Sequence, residues 1–530
     1  MGRWTTWISF GALASAACMA LGAAAPAGAA QPGGDSPSVN RQAEPARSTP
    51  LPRATPESKG ISSGYLLDML NEFEKRNIEL HSLLVAVDGQ VIFEGYYSPY
   101  NPDDPYIIHS LTKVFTNTAA GIAFTEGKLK FTDKVVDYFP DRVPKDASDN
   151  LKAMTFFDLI TMRSGHGREI SGNEWRPLKT SWLDAFMKEP VPYKPGTKYQ
   201  YSSGNAYMVS AMVQKAMGMT AEDVIREKLV KKLGIAQFSW QKSPEGISSG
   251  GNGIMVKPMD LLKIGILYQQ KGLWNGERIL TEEWCNYSLG YKGAFNDGQE
   301  VYNLHWWNRN GILVAAGVFG QEIAIVPELN MVVGTTGGTS AESSKIASVI
   351  KDTVVKPTLA DATRQYDGKY TGILKAKGER LNLLPRAMPT DSPLVGKISG
   401  KTFRIAGNGD GISEITLAFT RDSVTYTMKD QRGTHTVVNG LGSWIAGSTT
   451  MTGNYLHHQY QNPAQKIVAS AQWVDDHTLQ LDWTHPEMAF RDQVTLKLTE
   501  NTLSMVRSVN INSKGPFGGL VRPEVTGTLR

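Results

Sequence analysis

The stretch HSLTKVFTNTAAGIAFTEG, His109 to Gly127, sets a serine and a lysine three residues apart where an apolar helical pattern begins. Residues three apart share a helix face. A serine in the first turn sits where free N–H groups and the helix dipole favour negative charge. Burying an amine one turn later favours its neutral form, which can take or relay the serine proton. Ser110 and Lys113 are therefore a candidate nucleophile and base. The competing reading is a helix cap and a solvated lysine, and a bare Ser-x-x-Lys arises often by chance. The neighbouring segments have to decide.

Two further segments carry matching chemistry. In PGTKYQYSSGNAYMVSAMV, Pro195 to Val213, Tyr201 stands just before a second helical pattern and Ser203 two residues on. A phenol beside a lysine cation favours phenolate and can serve as general base, then as acid to the leaving group. Tyr199 and Tyr207 compete for that role, as does simple packing. In GILVAAGVFGQEIAIVPELNMVV, Gly311 to Val333, Gly317 and Gly320 interrupt two β runs. Glycine in a strand often marks close approach to the backbone. The N–H of Val318 is then a candidate partner for that of Ser110 in an oxyanion hole, a hairpin bend being the alternative.

Other serine motifs read as decoys. Gly-x-Ser-x-Gly occurs twice as GISSG, Gly60–Gly64 and Gly246–Gly250, but neither follows an apolar strand as a nucleophile elbow requires. Ser62 or Ser63 caps the helix that follows. Ser239 and Lys242 also form Ser-x-x-Lys, but SPEG after them stops any helix.

Ser110-Leu-Thr-Lys113, Tyr201-Ser-Ser203 and Ala315-Ala316-Gly317, in this order, resemble the three motifs of the serine β-lactamase and penicillin-binding protein superfamily. The likeness is to its class C-related branch of esterases, D-amino-acid peptidases and small-amide hydrolases. DLITMRSGH, MDLLKIGILYQQKGLWNGERIL and GVFGQEIAIVPEL add to it, over residues 55–355. The resemblance implies an α/β sandwich, with the serine where an antiparallel sheet meets a helical subdomain. It implies catalysis by Ser110, Lys113 and Tyr201, with Gly317, Val318, Ser203 and Asn205 holding the substrate or the oxyanion. Ser203 stands where the family has asparagine, and Ala315 where it has a cationic or imidazole residue that binds the β-lactam carboxylate. Alanine supplies neither charge nor hydrogen bond. That argues against efficient β-lactam chemistry and for the esterase and amidase members. A D-stereospecific peptidase on peptidoglycan-type peptides, or a non-catalytic penicillin-recognising envelope protein, are the alternatives.

The elements that must position these residues are readable too. An amphipathic helix from Gly64 carries Leu66, Leu67, Leu70 and Phe73 on one face. Asp88-Gly89 between β-rich runs signals a hairpin. Residues 109–290 are mainly helical, and strands return at YNLHWWN, GILVAAGVF, QEIAIVP and NMVVGTT before a last helix, AESSKIASVIKDTVV. Strands at both ends of a helical middle predict one antiparallel sheet flanked by helices, with a catalytic domain over 59–357. From 366 to 530 short period-two segments such as SVTYTMKD and HTLQLDWT predict a separate all-β domain, a meander or small barrel, with no catalytic constellation. Trp175, Trp306 and Trp307 are candidates for a pocket wall or for core.

Composition bounds the rest. Net charge is +4, from 55 Lys and Arg against 51 Asp and Glu, with no long basic run, so nucleic acid is not expected as a partner. Residues 1–30 have one cation, an apolar run and the ending Ala27-Gly28-Ala29-Ala30, the pattern of a secretory signal. Residues 31–58 read as a Pro- and Ser-rich flexible leader. Export to the periplasm or medium is expected, with no integral membrane segment after cleavage. Cys285 alone then remains, a buried apolar residue rather than a nucleophile. The nine histidines show no zinc spacing. The expected partner is a small-molecule or peptide substrate, with no metal and no organic cofactor.

Overall fold

The computed structural model describes residues 48–530 apart from 173, 291–299, 341–342, 386–387, 389–390, 461, 513 and 515–518. The expected signal segment and most of the leader lie outside the described residues. The described residues, from Ser48 onward, belong to one compact unit.

The first sheet has seven antiparallel strands drawn from both ends of the chain, as the element order predicts. They are β1 (Leu80–Val87), β2 (Gln90–Tyr96), β3 (Glu300–Tyr302), β4 (Trp307–Arg309), β5 (Ile312–Gly317), β6 (Gln321–Val326) and β7 (Met331–Gly337), in the order β2-β1-β7-β6-β5-β4-β3. The β1–β2 hairpin turns at Asp88 and Gly89, both at positive φ, which suits an Asp-Gly pair. β1, β6 and β7 are buried along their whole length because both faces are covered. On one face lie α1 (Ser63–Lys75) and a helix from Ser343 to Ile350; Ser62 caps α1 by accepting from the Gly64 N–H at 3.1 Å. On the other lies the helical middle, around α2 (Thr112–Thr125), α3 (Ser203–Met217) and α4 (Pro258–Gln269).

α2 is buried on nearly all sides, from Thr112 to Ala123. Its polar side chains are accounted for one by one. The amide of Asn117 donates to the Leu304 carbonyl at 2.6 Å and accepts from Trp284 Nε1 at 3.1 Å and from the Tyr268 hydroxyl. Such closed polar networks fix register inside an apolar core.

Two expectations are corrected here. YNLHWWN is not one strand: Asn303–Trp306 turn between β3 and β4, with His305 at positive φ. The all-β texture starts at Thr402, not at 366. A helix, Thr371–Gly378, comes first and packs on α1, where Lys377 reaches Asn71 at 2.7 Å and Glu74 at 3.0 Å. From Thr402 an eleven-stranded sheet closes on itself into a barrel, Gly440 and Leu441 pairing in parallel with Ser470 and Ala471. Alternate residues such as Val424, Tyr426 and Met428 point into its core.

Candidate active site

Ser110 lies in a single 3-10 turn, His109–Leu111, that runs straight into α2. His109 at φ 47° redirects the chain just before the serine. Lys113 follows on the first turn of α2 and is only 2% exposed. Its ammonium donates to Ser110 Oγ at 3.2 Å, to Ser203 Oγ at 3.3 Å and to the Gly251 carbonyl at 2.9 Å. All three N–H bonds are thereby used. Ser203 opens α3 and donates in turn to Glu169 Oε1 at 3.2 Å.

Tyr201 joins the same lysine by its ring, 4.7 Å from Nζ to the ring centroid. Its hydroxyl makes no hydrogen bond to Ser110 or Lys113. The ring is packed by Trp307, stacked at 6.4 Å, and by Tyr302 at 6.1 Å. Tyr207 points elsewhere, bonded to Ser243 and Glu245. Asn205 does not reach the lysine: its amide donates to Met162 Sδ at 3.7 Å. Of the three tryptophans, Trp307 stands near the site, whereas Trp175 and Trp306 are core residues packed on Tyr207 and Tyr268.

The third segment lies against the serine turn. A Cβ on Gly317 would stand 2.4 Å from the Ile108 carbonyl and 3.1 Å from the Leu111 nitrogen, so only glycine fits there. Val318, 42% exposed, follows at the strand end and lines the cavity that holds Ser110. Ala315 is buried two positions earlier and does not line it.

That cavity has a volume of about 380 Å³. One side is the loop that carries Glu169, Ser171 and Glu174. The other comes from turns between the C-terminal strands, which contribute His458 and Lys514. Arg176 ties the two sides together. Its guanidinium donates to the His458 carbonyl and, at 3.1 Å, to the Tyr460 hydroxyl, and lies 4.3 Å from the Tyr460 ring. Behind Ser110, His109 is enclosed by Phe319, Tyr460, His458 and Phe490. Burial pushes its imidazole far below the ordinary range, so it is neutral and holds no proton for catalysis. His305, bonded through Nδ1 to the Lys113 carbonyl at 2.8 Å, is likewise pushed down to about 3 by burial.

Sequence reasoning missed Glu169, Gly251 and every contribution from beyond residue 400. Gly251 was one residue past a rejected motif. Ser248 and Ser249 of that GISSG are indeed bonded into the backbone, but the glycines after it matter. A Cβ on Gly251 would lie 2.8 Å from Ser203 Cβ, which is what lets its carbonyl reach Lys113. The signal was the run SGGNG itself. The barrel residues gave none, because their position depends on how the sheet docks.

Among the described residues one group has ligand atoms close enough for a metal ion: His457, His485 and Asp492, all buried in the C-terminal part of the chain. The Asp492 carboxylate there already accepts from His457 Nε2 at 2.6 Å and from Arg507 Nε at 2.9 Å. An arginine on the carboxylate balances its charge, so the group reads as an ion-pair network.

Comparison with known proteins finds relatives at low identity. A 6-aminohexanoate-dimer hydrolase of Paenarthrobacter ureafaciens is 22% identical over 311 residues, 53% of this chain and 78% of the relative. A protein of Escherichia coli strain K12, assigned by inference as a D-alanyl-D-alanine carboxypeptidase, is 21% identical over 211 residues, 34% of this chain and 49% of its own length. Among solved structures, an octameric penicillin-binding protein homologue from Pyrococcus abyssi aligns with 86% of this chain and 99% of its own at 16% identity, TM-score 0.46. The Beta-lactamase family model matches residues 71–340, which span all three motif segments, and the chain belongs to that family.

Proposed function

We propose that this protein is an exported serine hydrolase that cleaves ester or amide bonds through an acyl-enzyme on Ser110. The observation that carries the reading is the 3.2 Å contact between a buried Lys113 ammonium and Ser110 Oγ, at the edge of an open cavity. As the neutral amine, Lys113 takes the serine proton while Oγ attacks the acyl carbon. The carbonyl electron pair moves onto oxygen, held by the backbone N–H groups of Ser110 and Val318. Collapse breaks the bond to the leaving group, which departs with a proton. We assign that delivery to the Tyr201 phenol, which takes the Lys113 proton in exchange; its ring lies against the same ammonium, and catalytic hydrogen bonds often tighten only when substrate fills the site. Water then cleaves the acyl-enzyme by the reverse path.

A fluorophosphonate probe tests the nucleophile: intact protein takes up label and Ser110→Ala takes up none. Label on the Ser110→Ala protein sinks the reading. Lys113→Ala and Tyr201→Phe should each lower kcat/KM by about 10²–10⁴-fold at neutral pH.

A second reading has its own observation. Lys514 and Arg176 face the cavity although the third motif is neutral. Cations there favour a substrate with a free carboxylate, such as a peptide ending in a D-amino acid. Comparing p-nitrophenyl esters, D-Ala-D-Ala peptides and nitrocefin as substrates separates the two readings.

A further inference from the structure

Lys113 has to be neutral each time it accepts a proton, yet it is 2% exposed and cannot shed one directly to water. Its three hydrogen-bond partners differ in what they can do. The Gly251 carbonyl accepts a hydrogen bond but is no proton carrier. Ser110 Oγ is esterified while the acyl-enzyme exists. Ser203 alone is a free hydroxyl at that stage, and it leads outward, to the carboxylate of the exposed Glu169. Resting on the acyl-enzyme reading above, we propose that Ser203 and Glu169 form the proton exit of Lys113, used when the leaving group departs without a proton.

The step balances. The Lys113 ammonium gives one proton to Ser203 Oγ as the Ser203 O–H passes its own to Glu169 Oε1. The products are a neutral amine, an intact serine and a carboxylic acid, which returns the proton to solvent. Lys113 can then take a proton from the hydrolytic water. When the leaving group is an alkoxide, it removes the proton itself and the exit is not needed. When it leaves as a stable anion, the proton stays on Lys113 and blocks deacylation until it escapes.

The other titratable groups facing the cavity do not offer this route. Glu174 is paired with Arg168 at 3.1 Å. His109 and His458 are held neutral by burial, His458 down to about 3. Arg176 is a guanidinium cation held by the His458 carbonyl and the Tyr460 hydroxyl, and it accepts no proton. Among the described residues, Glu169 is the carboxylate joined to Lys113 through a hydroxyl.

The experiment compares two esters of the same short acid, the p-nitrophenyl and the ethyl ester, on the full-length protein. With the p-nitrophenyl ester, Glu169→Gln is expected to give a full burst of one nitrophenolate per protein, then turnover about 10²-fold below wild type. The loss should shrink as pH rises, where hydroxide can take the proton in place of the carboxylate. Ethyl ester turnover should fall by less than p-nitrophenyl ester turnover, because its alkoxide removes the proton itself. Ser203→Ala should show the same pH-dependent loss on the p-nitrophenyl ester, the double variant should be no worse there than either single, and Glu169→Asp should recover part of the rate. Equal loss on both esters, a pH-independent loss, or no loss on either overturns the exit. A burst that persists in Ser110→Ala overturns instead the acyl-enzyme reading beneath it. Circular dichroism and melting of each variant separate misfolding from a kinetic effect, and Glu169→Asp keeps the test decisive should Glu169→Gln fail to fold.

Discussion

Lys113 is surrounded by groups that the sequence ranked unequally. Ser110 was legible because a nucleophile and a base three apart on a helix share a face, and the apolar run after them fixed the helix. Tyr201 was legible as a phenol near a helix start, but only the structure decided that its ring meets the lysine. Gly317 was flagged as a glycine inside a strand, and its need is steric. Gly317→Ala should push the strand end or the serine turn aside, since a Cβ would stand 2.4 Å from the Ile108 carbonyl. The expected result is about a 10²-fold loss of kcat/KM, as for small misplacements of reacting groups. Overpacking should add a stability cost of about 1–3 kcal/mol. Steady-state kinetics and thermal melting check both.

At the scale of elements, α2 is the part on which the site depends. It carries Lys113 at one end and Asn117 one turn on, and Asn117 links it to the segments holding Tyr268, Trp284 and Leu304. The apolar pattern of VFTNTAAGIAF announced a buried helix, yet nothing in it told what Asn117 would meet. Asn117→Ala leaves at least three buried polar groups without their partner, each worth about 1–3 kcal/mol. A loss of roughly 3 kcal/mol in chemical denaturation is expected. The β1–β2 hairpin and the flanking helices were readable for a simpler reason: turn chemistry and periodicity are local. The break between β3 and β4 was not, because Tyr302, His305 and Trp307 turn there to pack on distant partners.

Across the whole molecule the C-terminal sheet and the elements of the candidate site share a seam. Ile107 and Phe319 sit in one apolar cluster with Tyr460, Met488, Ala489 and Phe490, and the Ile107 N–H donates to the Glu487 carbonyl at 2.9 Å. Arg176→Ala removes the guanidinium that joins the His458 carbonyl and Tyr460 to the cavity loop. It should lower kcat/KM by about tenfold or more through misplaced cavity walls, while Ser110 still labels. Buried histidines spread through the molecule also set a pH limit. Burial lowers the imidazoles of His166 and His457 to about 4 and those of His305 and His458 to about 3. Unfolded, each would titrate near 6.5. Between those values the unfolded chain binds more protons, so stability falls as pH falls and is full above about 7. Each histidine contributes up to about 2 kcal/mol of loss between pH 7 and pH 5. Melting temperature followed over that interval checks the sign; a flat profile means the imidazoles are not buried as described. Among the described residues no helix is long and apolar enough to cross a membrane.

The sequence by itself determined what is local: the serine–lysine spacing, the helix that presents it, the hairpin, the alternation of the C-terminal strands, and the glycine that lets a strand approach the serine. These rest on periodicity and on turn and cap chemistry, which act over a few residues. Only the tertiary structure decided which distant groups complete the site. Glu169 through Ser203, the Gly251 carbonyl, and His458 and Lys514 from the barrel are placed by sheet closure and docking, and those depend on contacts between residues up to several hundred positions apart.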